Sequence, residues 1–126
     1  MGMDQTVSFA GKEMPSWAAV SGLLARHGFP VQTRMIDGQL AFPDETPPDE
    51  WKELRLGTPQ GMVTLRRDAD TVVFVTWGNA DAALRQAWNA LAWAFAEVGG
   101  GILQTPQGVV DAAMFRRQAE LPATLR

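Results

Sequence analysis

The sequence predicts an α+β fold in which a largely antiparallel sheet of about five to seven strands carries two main helices and a short C-terminal one. Three observations lead there. Residues 71–77, TVVFVTW, form an unbroken β-branched and aromatic run. Leu84, Trp88, Leu91, Phe95 and Val98 then share one stripe at helical spacing. Between residues 31 and 67, turn signals separate short β-type runs that show no helical period. With 126 residues, 46% of them hydrophobic and 20% charged, the chain reads as a single domain over 1–126.

Taken in order, Thr6 to Ala10 is a short strand, and Gly11 and Pro15 punctuate the chain before a first helix over residues 16–27. Trp17, Val20, Leu24 and His27 share one face of it, with Leu23 beside them. Gly28 supplies a left-handed stop, followed by Phe29 and Pro30 as such stops favour. Val31–Ile36 and Gln39–Phe42 pair as a hairpin across Asp37-Gly38, a dipeptide suited to the positive φ angles of a two-residue turn. Residues 43–50, PDETPPDE, combine three prolines with four carboxylates and predict a stiff exposed loop.

Further strands are expected at 51–56, 62–67 and 71–77. The last shows no polar alternation, which predicts a central strand covered on both faces. A long helix begins from Asn79 as N-cap, with Asp81 in its first turn, and runs to about Val98. Gly99-Gly100-Gly101 ends it, 102–105 resumes as a strand, and a third helix spans about 112–121 from Asp111 as N-cap. The order β-α-β-β-β-β-β-α-β-α places each main helix between strands, as in an elaborated ferredoxin-like arrangement.

Composition narrows function by exclusion. The chain has no cysteine, which removes disulfides, thiolate catalysis and sulfur-ligated metals. Its formal charge is −3 and its closest cations are only the pairs Arg66-Arg67 and Arg116-Arg117, so nucleic acid is not an expected partner. No apolar run reaches bilayer length and the first residues lack a secretory pattern, so no membrane association and a cytoplasmic location are expected. Met1-Gly2 with Thr6 formally fits the loose N-myristoylation pattern, and an ordinary initiator sequence fits it as well.

No catalytic residue, cofactor or metal site is expected. Asp44, Glu45, Asp49 and Glu50 are stiffened by Pro47-Pro48 and lack the glycine of a calcium loop. The lone His27 sits in a last helical turn, where capping or half-buried packing explains it. Asp81 already occupies the helix start where an anion would bind, and Gly99–Gly101 follow a helix and so present carbonyls, not N–H groups.

Interaction is the remaining theme. Trp93 lies about 180° around the helix from Leu84, among Arg85, Asn89 and Glu97, so its indole needs a cover. The third helix supplies that cover, or a second chain does. Trp93, Arg85, Asn89 and Glu97 are therefore the interface candidates of a small soluble, non-enzymatic binding or accessory protein whose partner is another protein or a further copy of itself. The alternative is a small-ligand binder or enzyme using Arg34, Arg55 and Arg66 with carboxylates in a sheet-side pocket.

Overall fold

The computed structural model describes residues 2–77 and 79–126. Met1, part of the myristoylation pattern, and Gly78, in the segment before the long helix, lie outside them. The strands are β1 (Gly2–Ser8), β2 (Gln32–Ile36), β3 (Gln39–Leu40), β4 (Glu53–Thr58), β5 (Gly61–Asp68), β6 (Thr71–Trp77), β7 (Ile102–Thr105) and β8 (Gly108–Asp111). The helices are α1 (Trp17–Arg26), α2 (Ala82–Gly99) and α3 (Ala112–Gln118), followed by a 3₁₀ turn at Ala123–Leu125. One eight-stranded sheet runs in the order β3-β2-β4-β5-β6-β1-β7-β8, with every pairing antiparallel. The fold is α+β. Because β6 and β7 are both antiparallel to β1, they run parallel to each other, and α2 crosses between them over β1.

Local chemistry sets most boundaries. Ser16 caps α1 by accepting the Ala19 N–H at 3.2 Å. Gly28, at φ 73°, closes it: the Phe29 N–H donates to the Leu24 carbonyl and the Gly28 N–H to that of Ala25. Asp37 and Gly38 both take positive φ, making the two-residue turn between β2 and β3.

Several expectations about element bounds need correction. The first strand begins at Gly2, not Thr6, because Gln5 occupies an inward position that gives no apolar signal. The fourth begins at Glu53, since Trp51 lies before it as a buried loop residue. The N-cap of α2 is Asp81, whose carboxylate accepts the Leu84 N–H at 2.8 Å, and not Asn79. α3 ends at Gln118 because Ala119 turns extended, at ψ 152°, which lets Leu121 and Leu125 enter the core. An eighth strand, Gly108–Asp111, also pairs with β7.

All three helices pack on one face of the sheet. Val7, Leu54, Leu56, Val63, Leu65, Val72, Phe74 and Leu103 point from the strands into this layer and are buried. Phe95 of α2 is the aromatic hub, with ring centroids 5.4 Å from Phe74, 6.3 Å from Trp17 and 6.4 Å from Trp51. Trp88 Nε1 donates to the Phe74 carbonyl at 2.7 Å and pins α2 to β6. Among the described residues, the opposite face carries no helix. The expectation that β6 is covered on both faces is therefore corrected: Val73 and Val75, facing outward, remain partly exposed.

The glycines after α2 are there for space as well as for a turn. A Cβ at Gly99 would lie 2.5 Å from the Phe9 ring, and one at Gly101 would lie 2.6 Å from Val7 Cγ1. Gly99→Ala and Gly101→Ala are each expected to lower the unfolding free energy by about 1–3 kcal/mol through overpacking. Gly22, inside α1, meets nothing closer than 3.8 Å. Gly22→Ala is expected to raise stability by about 0.5–1 kcal/mol, and urea denaturation distinguishes the opposite signs.

Candidate functional site

Arg85, Asn89, Trp93 and Glu97 are spaced by four, so α2 presents them along one side. α3 and the segment after it pack along that side. Trp93 is only 2% exposed. The His27 ring meets its indole edge to face, at 5.9 Å and 84°, and the Arg116 guanidinium lies 5.1 Å from its ring centre. The cover that Trp93 requires thus comes from its own chain, and the indole presents no surface to a second one. Trp93 Nε1 has no acceptor among the described residues.

Asn89 is 9% exposed and ties three elements together. Its Oδ1 accepts from Gln5 Nε2 of β1, and its Nδ2 donates to the Glu120 carbonyl beyond α3, both at 2.9 Å. Glu97 remains in solvent. Arg85 is half-buried, with Nη1 donating to the Ala80 carbonyl at 2.7 Å. The four candidates are therefore separated: two inside, one in solvent, and one at the mouth of a cavity.

That cavity, of about 780 Å³, opens where the first half of α2, the end of α3 and the β7–β8 turn splay apart. Gln5 and Asn89 contribute carboxamides to it, and Trp88, Val110 and Phe115 contribute apolar surface. Arg85, Gln107, Gln118 and Glu120 add polar and charged groups. Its volume lies within the range of small-molecule sites. Gln5 escaped the sequence reading, although Gln5, Val7 and Phe9 alternate with the period of two that marks inward positions.

Arg34, Arg55 and Arg66 lie on the opposite, open face. Arg55 sits beside Thr64 in register, and Arg66 Nε meets Glu53 Oε2 at 3.1 Å. Arg34 lies over Gly57, where a Cβ would come within 2.8 Å of its Nε. The three share one face, on β2, β4 and β5, and all are exposed. Neither the large cavity nor a smaller one of about 320 Å³ between α1 and the proline loop includes them. Asp44 and Glu45 line that smaller cavity, and Glu45 Oε1 accepts the Phe42 N–H at 3.1 Å. Among the described residues, no three His, Asp or Glu side chains gather as a metal site, and no helix is long and apolar enough to cross a membrane.

The clearest titration effect lies at the hairpin. Asp37 Oδ1 accepts the backbone N–H groups of Lys52 and Glu53, at 2.7 and 2.9 Å. The Glu53 and Lys52 amides, in that order, hold its carboxyl below the ordinary value of 3.8.

No family model matches the chain, and no curated protein or solved structure is detectably similar to it. Geometry alone carries the functional reading.

Asn89→Ala strands the Gln5 amide and the Glu120 carbonyl. It is expected to cost about 1–3 kcal/mol, and the double change with Gln5→Leu is expected to cost less than the sum of the single changes, as measured by denaturant unfolding. For Asp37, a folded-state pKa below the unfolded value contributes stability that is present above the unfolded pKa and lost as pH falls through the folded one. The stability advantage over Asp37→Asn, at most about 1 kcal/mol at this exposed turn, is expected to shrink steadily as pH is lowered below 3.8 in unfolding measurements.

Proposed function

We propose that this chain is a non-enzymatic binding protein that acts through the uncovered face of its sheet, and that a second copy of the chain is the partner this face accepts. The carrying observation is β6. Its run of Val72, Val73, Phe74 and Val75 has the composition of a strand buried on both sides, while the chain covers only one. Ile102 and Val109 add a second outward apolar pair, 45% and 63% exposed, across the polar outward residues Asp4, Thr6 and Ser8 of β1. Apolar side chains left open on a sheet face mark contact sites.

Charge supports a self-complementary contact. One row across the sheet reads Met35, Arg55, Thr64, Val75, Asp4, from β2 to β1. A two-fold axis parallel to the strands and lying above the gap between β5 and β6 brings Arg55 of one copy over Asp4 of the other, and Thr64 over Val75. Aligned sheets pack about 10 Å apart with a relative twist of about −30°, which displaces partners least near such an axis.

The mass in solution, followed by light scattering over a dilution series, tests this reading. A dimer is expected. Arg55→Glu and Asp4→Arg are each expected to weaken it by about tenfold or more through like-charge contact, and the double exchange to restore it. A wild-type monomer at every concentration, or a double exchange no better than the single ones, overturns the self-association. Capture of a different protein in an Arg55-dependent manner would keep the face as an interface and replace its partner.

A further inference from the structure

We infer that the cavity between α2 and α3 binds a small carboxylate that also carries an amide and an apolar side chain, of the N-acyl amino acid class. The inference does not rest on the interface reading, because the cavity lies on the helix-covered side of the sheet. Its volume of about 780 Å³ exceeds what such a molecule occupies and leaves room for solvent.

Each part of the ligand follows from a part of the wall. Gln5 and Asn89 place two carboxamides there, the first 2% and the second 9% exposed. Two carboxamides offer four N–H donors and two carbonyl oxygens, of which the bonds from Gln5 to Asn89 and from Asn89 to Glu120 use two donors and one oxygen. Buried amides favour partners that both donate and accept, which an amide of the ligand provides. Arg85, anchored through one nitrogen to the Ala80 carbonyl, keeps further N–H groups of its fork for a carboxylate. Trp88, fixed by its bond to Phe74, and Phe115 supply the surface for an apolar side chain.

The test titrates the ¹⁵N-labelled full chain with N-acetyl-L-phenylalanine and, separately, with its uncharged amide, N-acetyl-L-phenylalaninamide. The acid is expected to shift the side-chain amide signals of Gln5 and Asn89 and the Trp88 indole signal in a saturable manner. The uncharged probe is expected to bind about tenfold more weakly, Arg85→Gln to erase that difference and Arg85→Lys to keep most of it. Arg55→Glu, on the opposite face, is expected to leave the titration unchanged. Should Arg85→Gln fail to fold, contacts between probe protons and those of Trp88 and Phe115 in the unaltered protein locate the site directly. Absence of saturable shifts at these signals, a preference for the acid that survives Arg85→Gln, or binding lost in Arg55→Glu overturns the inference.

Discussion

The burial of the middle of α2 is the constraint on which the rest of the structure depends. Ten consecutive residues, Ala87 to Ala96, are buried, so the helix is enclosed on every side over nearly three turns. The sheet covers one side, α1 and α3 flank it, and the chain after α3 returns to seal it with Leu121 and Leu125. Five of the ten residues are alanine, which lets these neighbours approach closely while Trp88, Trp93 and Phe95 fill the spaces between them. The same closeness carries past the helix end, where Gly99 and Gly101 lie against Phe9 and Val7 with no room for a Cβ.

Enclosure makes each polar group on α2 consequential. Asn89 cannot reach bulk water freely, so its bonds must come from the protein, and Gln5 on β1 and the Glu120 carbonyl supply them. This small network joins the sheet, the long helix and the C-terminal segment at one point. Just beyond it the helices no longer fill the space above β1, β7 and β8, and the cavity opens there. Cavity and network are two results of the same splay.

Signals confined to a few residues were legible in the sequence. Gly28, Asp37-Gly38 and Asp111 each act through contacts with near neighbours, and the structure uses each where the sequence implies. Signals that depend on distant partners were not. β8 is four residues long and gains its meaning only from pairing with β7. Gln5 hides the first half of β1 because its partner is 84 positions away. For the start of α2, Asn79 and Asp81 are equivalent capping residues, and the choice between them lies outside local preference. Trp93 shows the same limit from the opposite direction. A helical wheel identifies a ring that needs a cover, while His27, just past α1, and Arg116 of α3, which provide it, lie far away in sequence.

The alternation of a strand decides how separable the two candidate surfaces are. Along β1, Gln5 and Val7 face the helices, whereas Asp4 and Thr6 face outward. The cavity and the open face therefore share a backbone but no side chain. On β4 and β5 the same rule puts Leu54, Leu56, Val63 and Leu65 in the core and Arg55, Thr64 and Arg66 outside. A substitution at Arg55 or Asp4 alters the charge of the open face without entering the helix layer, and one at Arg85 alters the cavity without reaching the open face. The two proposed contacts can in consequence be tested separately by side chain, since each surface carries a set of residues that the pleat keeps from the other.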